Sequence, residues 1–293
     1  MKHTKTLLKI VSCAIALSVT TVAAAQNKKT DLNKLDFKTG QKFQTDNTVK
    51  TVTNMEMMGQ QMEIKMDISA ARQLEVKDKK GNAYNVSSTI TKMALMADMM
   101  GQSMNYDSDK KEDSASEMGK LLKDKINVPV EMEMNDEGKV TSVKKDSSKT
   151  DKDAQGIEAM LNNMGAGANE SALADDMFQV MPVNMKASDT WSDSVINEGV
   201  KVYRNFTVKS MQGNDATISI SGKQLTNKVM ENQGMEMTLS MESKITGEML
   251  VDIKSSVIKQ KNLTSDGTGT MDMMGQSVPM TTKVEMTSAT KSL

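Results

Sequence analysis

Three times the chain writes an acidic residue, two methionines, glycine and glutamine: Glu56-Met57-Met58-Gly59-Gln60, Asp98-Met99-Met100-Gly101-Gln102 and Asp272-Met273-Met274-Gly275-Gln276. Each copy lies between stretches that alternate apolar and polar residues, so each reads as the tip of a β-hairpin. Side chains alternate across a strand, so a hairpin fixes which side of the sheet every neighbouring residue faces. Few other features limit a fold as tightly.

With Gly59-Gln60 at the centre of a type II′ turn, which favours glycine first, Met57 is expected opposite Met62, Met55 opposite Ile64, and Thr53 opposite Met66. A turn on Met58-Gly59 is the alternative. In the preferred register one face carries Thr53, Met55, Met57, Met62, Ile64, Met66 and Ile68. The other carries Asn54, Glu56, Met58, Gln61, Glu63, Lys65 and Asp67. The third copy behaves alike: Met273 is expected opposite Val278 and Met271 opposite Met280, with Asp272, Ser277, Lys283 and Glu285 facing away. The middle copy groups Met93, Leu95, Ala97, Met99, Met104 and Tyr106 but leaves Met96 and Met100 on the polar side. A slip of one residue would invert every assignment.

The chain opens with Lys2, His3 and Lys5, a mostly apolar run from Leu7 to Val22, and Ala23-Ala24-Ala25. Basic leader, apolar core and small-residue cleavage site together make residues 1–25 a secretory signal peptide, so a mature chain is expected from Gln26 and a periplasmic or secreted location follows. Ile10-Val11-Ser12-Cys13 is a poor lipoprotein box, because too few apolar residues precede it. No other stretch approaches the ~20 apolar residues of a membrane-spanning helix.

Removing that leader also removes chemistry. His3 and Cys13 are the single histidine and cysteine of the sequence. What remains cannot build a Ser-His-Asp or Cys-His nucleophile, a conventional zinc site or a disulfide. The Asp107-Ser108-Asp109 stretch lacks the glycine and length of a calcium loop. Paired carboxylates could serve glycoside hydrolysis, but the acidic residues fall on polar strand faces and few aromatics are present to hold a sugar. No catalytic residue, metal ligand or cofactor is expected. Lys+Arg total 37 against 38 Asp+Glu, and no basic stripe carries interleaved aromatics, so nucleic acid is not an expected partner.

Along the chain, turn signals stand at Asp78-Lys79-Lys80-Gly81, Asn135-Asp136-Glu137-Gly138, Asn197-Glu198-Gly199, Gln212-Gly213-Asn214-Asp215 and Gln233-Gly234. Helices are expected near 112–125, where Met118, Leu121, Leu122 and Ile126 share a face, and within 151–180, ending before Pro182. The expected organisation is a β-meander half with one helix over 26–145, a polar linker with short helices over 146–182, and a second meander half over 183–293. Lys38-Thr39-Gly40-Gln41 before Phe43 and Lys186-Ala187-Ser188-Asp189 before Trp191 each place a tight turn ahead of an aromatic that opens a strand, which points to an internal repeat. The fold class is therefore mainly β (α+β): two related antiparallel meanders forming a curved sheet or half-barrel with a few short helices.

The Met-Met-Gly-Gln hairpins, Tyr106-Asp107-Ser108, and Pro182 through Lys186 to Asp189-Thr190-Trp191-Ser192-Asp193 resemble a family of uncharacterised exported proteins of Gram-negative bacteria, a domain of unknown function. Ala187-Ser188 stands where that family's pattern has a Val-Gly-like turn. The resemblance implies fold and export and says nothing of chemistry. In layout alone the chain is also similar to periplasmic lipoprotein carriers, whose curved antiparallel sheet wraps an apolar cavity closed by helices.

Thirty methionines against four phenylalanines, three tyrosines and one tryptophan pose the functional question. Thioethers suit Cu(I), and Met55-Glu56-Met57, Met132-Glu133-Met134, Met235-Glu236-Met237 and Met271-Asp272-Met273 each put two sulfurs on one side of a strand. Strand rise separates such a pair by about 7 Å, so one ion would need a third ligand from a neighbouring strand. Core packing is the simpler reading, since strand alternation alone explains the positions. Methionine also recurs where surfaces accept varied apolar partners. The expectation is thus a non-enzymatic exported protein that binds an apolar small molecule, lipid or envelope protein through Met55, Met57, Met62, Ile64, Met66, Met99, Met104, Met271, Met273 and Met280. A Met-based Cu(I) binder and a structural protein of the cell envelope are the alternatives.

Overall fold

A computed structural model describes residues 31–57, 59–99, 102–122, 125–144, 175–197, 199–232, 235–273 and 275–293. The expected signal peptide and the helix expected within 151–174 lie outside these residues. The first meander comprises β1 (Lys42–Met57), β2 (Gln60–Lys80), β3 (Ala83–Met99), β4 (Gln102–Asp107), β5 (Pro129–Asn135) and β6 (Val140–Val143). The second comprises β7 (Thr190–Asn197), β8 (Val200–Gln212), β9 (Asp215–Asn232), β10 (Met235–Asp252), β11 (Val257–Met273) and β12 (Gln276–Ser292). They form one antiparallel sheet, ordered β6-β5-β3-β2-β1-β12-β11-β10-β9-β8-β7, with β4 also on β3. The sheet is open, with β6 and β7 at its edges, and the β1–β12 pairing joins the halves from Phe43–Ser292 to Met55–Met280.

The hairpin registers correct the expected ones. Met57 pairs with Gln60, Met55 with Met62, Thr53 with Ile64 and Thr51 with Met66. The reversal therefore falls between Met57 and Gln60, with Gly59 at φ 76°, a left-handed conformation that glycine adopts without steric cost. In the third copy Met273 pairs with Gln276, Met271 with Val278 and Gly269 with Met280, again with a left-handed glycine, Gly275 at φ 78°. Both registers sit two residues from the expected one. A two-residue shift preserves the parity of the pleat, so the expected faces survive although the expected partners do not.

The repeat is visible in hydrogen bonds. Gln41 N–H donates to Lys38 O (3.0 Å), Gly40 N–H to Val76 O (2.8 Å) and Val76 N–H to Gln41 O (2.9 Å). In the second half Asp189 N–H donates to Lys186 O (3.1 Å), Ser188 N–H to Val208 O (2.8 Å) and Val208 N–H to Asp189 O (2.9 Å). The third turn residue is left-handed in both, Gly40 at φ 83° and Ser188 at φ 74°. A bulge follows each docked valine, between Val76 and Asp78 and between Val208 and Ser210. The sequence's two arginines, Arg72 and Arg204, each stand four residues ahead of these valines. One lies opposite Thr45 and the other opposite Asp193.

Two helical expectations change. Residues 112–125 are not one helix: a 3-10 turn (Lys111–Ala115) is followed by α1 (Glu117–Leu122). Ser116 is extended between them, its hydroxyl accepting from Gly119 N–H at 2.9 Å as a helix cap does. Leu122, Met118 and Ile126 nevertheless pack on Met66, Ile68, Met93, Leu95 and Tyr106 as an amphipathic helix should. Of the helix expected to reach Val180, the described residues are helical over 175–177, and the chain leaves the helix at Phe178, which bridges to Val257. Tertiary packing overrides helix propensity there. The Phe178 ring sits 4.9 Å from Phe37 and 5.1 Å from Phe43, in a cluster with Leu74, Val76, Tyr84, Met132, Met134 and Met177. Tyr84 donates its hydroxyl to Leu35 O at 2.7 Å, so the one polar atom of that ring is satisfied inside the cluster.

Candidate apolar site on the methionine face

Strand register assembles the site from separate hairpins. Met62, Met55 and Met280 are direct neighbours on β2, β1 and β12. Met280 continues to Gly269 on β11 and then to Met241 on β10. One row nearer the tips, Met271 lies between Val278 and Leu239, and beyond it Met273 pairs with Met237. Directly paired side chains on adjacent strands stand about 5 Å apart at Cβ, so these methionines form a contiguous surface.

Exposure grades along that surface. Met66 is 2% exposed and Met280 8%, while Met55, Met62, Ile64, Met271, Met273, Met237, Leu239 and Met241 are half-buried. Met104 pairs with Ala97 on β3 but is 37% exposed, because β4 is short and has no second neighbour on the strand path. Met57 and Met99 hold their strand positions opposite Gln60 and Gln102. The expected site residues therefore divide. Met55, Met62 and Met280 come together, Met271 and Met273 lie beside them, Met66 is core, and Met104 stands at the margin.

The surface has a distinct floor. Thr53 and Thr282 face each other with hydroxyl oxygens 2.5 Å apart. Gly267 is buried, and a Cβ there would come within 2.8 Å of Met241 Sδ, so the glycine is what lets Met241 fold across β11. The opposite face of the same strands is polar: Glu56, Glu63, Lys65, Asp272, Lys283 and Glu285 are exposed. Glu63–Lys65 and Lys283–Glu285 pairs, each at 2.7 Å, run along it. Their solvent exposure makes them worth little in stability. They do keep that face wet.

Sequence reasoning missed the polar anchor below the methionines. The segment Asp175–Pro182 is tied to this face of the sheet through charges. Lys261 Nζ donates to Asp176 Oδ1 at 2.7 Å and to Asp175 O at 3.0 Å, and Asn47 Nδ2 donates to Asp176 Oδ2 at 3.2 Å. Arg204 grips Asp193 through two bonds of 2.8 Å and reaches Asp175 at 3.3 Å. Burial opposes the charge of Arg204, but Asp193 and Asp175 outweigh it and raise the guanidinium pKa above its ordinary value. One signal was available in the sequence: Lys261 has the same parity in β11 as Leu263, Met271 and Met273, a charge on the apolar side of an amphipathic strand. The segment's other end is held by the N-terminal stretch, where Asn33 N–H donates to Met181 O at 2.9 Å.

Among the described residues no helix is long and apolar enough to cross a membrane, and none of the Asp and Glu side chains cluster in a metal-holding group. In the Asp107-Ser108-Asp109 stretch, Asp113 Oδ2 accepts from Asp107 N–H at 2.9 Å and Asp107 Oδ1 from Asp109 N–H at 3.0 Å. Those carboxylates are turn caps.

A search of curated proteins matches none. Among solved structures, one titled for lipid–protein interactions in lipovitellin is similar in fold, at a TM-score of 0.50 and 12% identity over 87% of this chain. The chain spans about a quarter of lipovitellin's length, 25%. DynF from the dynemicin pathway of Micromonospora chersina aligns over 90% of this chain and 85% of its own, at 6% identity and a TM-score of 0.21. An outer membrane channel from Pseudomonas putida F1 aligns over 88% and 98%, at 5% identity and a TM-score of 0.20. Neither of these two carries a fold argument. The model of a family of unknown function, DUF6263, matches residues 81–258, more than half of the sequence, and the chain belongs to that family.

Proposed function

We propose that this is an exported, non-enzymatic protein that binds an apolar ligand or lipid through the methionine face. The observation that carries the reading is the half-exposed patch of Met55, Met62, Met271 and Met273 on one side of a sheet whose other side is charged. Contiguous apolar surface left partly open is where apolar partners dock, and unbranched, polarizable thioethers adapt to ligands of varied shape. The leader ending at Ala25 supports export to the periplasm or beyond. The absence of His and Cys after residue 13 supports a binding role over nucleophilic catalysis. The likeness in fold to a structure titled for lipid–protein interactions in lipovitellin is compatible with this reading.

Native mass spectrometry of protein purified from the cell envelope tests it, with an apolar fluorescent probe as the second measurement. A co-purifying lipid or saturable probe binding is expected. Neither appearing would overturn the carrier reading and leave a structural role in the envelope.

One observation favours a second reading. Met62, Met55 and Met280 place three thioethers in a row on adjacent strands, the third ligand that a soft-metal site requires. Competition with a Cu(I) chelator under reducing conditions separates the two. Tight binding lost on Met55→Leu with Met62→Leu identifies a metal site, whereas weak binding unaltered by the pair identifies a packing and ligand surface.

A further inference from the structure

We propose that the half-exposed methionines of this face are a reversible oxidation site, at which a hydroperoxide turns an apolar surface into a polar one. The consequence for binding rests on the apolar-ligand reading above. The site itself rests on where the thioethers lie.

The apolar residues are not distributed evenly along the strands. Toward the end where Asp175–Pro182 crosses, the buried cluster of the second half is Phe206, Val208, Ala216, Ile218, Ile220, Val251 and Ile258 with two methionines, Met181 and Met249. Toward the hairpin tips the same face is mainly methionine, with Met55, Met62, Met237, Met241, Met271 and Met273 set among Ile64, Leu239 and Val278. Leucine, valine and isoleucine would give as apolar a surface, and none of them reacts with two-electron oxidants. Methionine does. The tip half of the face is thus dominated by the apolar side chain whose polarity oxidation can change, and it is the half that water reaches.

The reaction balances within the two partners. The thioether sulfur attacks the terminal oxygen of the hydroperoxide, an S–O bond forms as the O–O bond breaks, and the terminal proton moves to the departing oxygen. Sulfur loses two electrons, and the hydroperoxide is reduced to an alcohol or water. A thiol-dependent sulfoxide reductase reverses it, giving thioether, water and a disulfide on the reductase. The sulfoxide oxygen is a strong acceptor that holds water, and covering it with an apolar ligand would strip that water without a replacement donor. Register makes the effect collective, since Met55 touches two methionine positions on neighbouring strands.

The same chain supplies internal controls. Met96 at 57% exposure, Met104 at 37% and Met211 at 36% should react first, and Met132, Met134, Met177 and Met249, all at 2% or less, should react last. Treatment of the full chain with hydrogen peroxide at neutral pH, followed by peptide mapping, should show Met55, Met62, Met271 and Met273 oxidised at least about tenfold faster than the buried four, in accord with oxidation following exposure. Probe affinity should fall in parallel and return after incubation with a methionine sulfoxide reductase. A variant carrying Met55→Leu, Met62→Leu, Met271→Leu and Met273→Leu should lose no probe affinity to peroxide, measured against the same variant untreated. Equal oxidation of tip and buried methionines overturns the proposal, as does unaltered probe binding by the oxidised parent or loss of binding in the oxidised leucine variant. Failure of the untreated parent to bind any probe overturns the apolar-ligand reading instead, and the peptide map then decides the oxidation site alone.

Discussion

Lys261 and Asp176 show how a single residue out of pattern controls the packing around it. Their side chains are 6% and 11% exposed and 2.7 Å apart. Replacing only one would leave the other charged in a dry setting, so Lys261→Met should cost about 3–5 kcal/mol, read as a lower urea midpoint. Changing both, Lys261→Met with Asp176→Leu, should recover much of that loss, because a buried pair is often no better than well-packed apolar groups. Asp252 gives a pH-dependent counterpart. Burial works against its charge, but the Ser255 amide and hydroxyl, the Lys254 amide and the Lys259 ammonium prevail and hold its carboxyl below the usual range. A depressed carboxylate stabilises the fold above the unfolded value of about 3.9 and stops doing so as pH falls through the lower folded value. Asp252→Asn should therefore cost about 1 kcal/mol at pH 7, with the difference from the parent closing in denaturant melts as pH falls through the depressed folded value. None of this was legible in the sequence beyond the odd parity of Lys261, because Asp175 and Asp176 are distant in the chain and only the folded crossing segment brings them over the sheet.

At the scale of elements, the strands were largely legible and their registers were not. Period-2 alternation placed Met55, Met62, Ile64 and Met66 on one face without the fold in hand, since parity is a local property. The partners were missed by two residues because the turn turned on which residue next to glycine lies in the loop. Gly59 and Gly275 settle it by taking left-handed φ at the second loop position. A Cβ at either would meet nothing within 4 Å, so Gly59→Ala and Gly275→Ala should each cost about 1–2 kcal/mol from backbone conformation alone. Asparagine at the same positions should cost less. Thermal melts of the four variants check this, and equal shifts for alanine and asparagine would contradict it. The helices were misjudged for a different reason: Phe178 leaves the helical pattern to pack its ring against both Phe37 and Phe43, a long-range demand invisible to local periodicity.

Across the whole molecule, the two meanders follow one plan, with the second half's long β10 answered in the first by β4 and β5, on either side of the stretch that carries α1. The repeated turn ahead of Phe43 and Trp191 was the part of this plan the sequence disclosed. The joining strand was not disclosed, because β12 has no counterpart signal marking β1 as its partner. Deleting 276–293 should leave β1 and β11 each with one open edge and remove the side chains of Met280, Val284 and Met286 from the shared face. The truncated chain should lose cooperative urea unfolding and associate in sedimentation, while circular dichroism of the full chain stays dominated by strand.

That joining strand also sets an order in time. Phe43 meets Ser292 and Thr45 shares a hydroxyl contact with Thr290 at 3.1 Å, across 245 residues of chain. However early the first meander collapses, the edge of β1 has no neighbour until the last stretch of this sequence has been synthesised. Contacts of such range form slowly, and an open edge beside a methionine-rich face invites wrong pairing meanwhile. Under the export proposed above, the same delay would keep the polypeptide threadable.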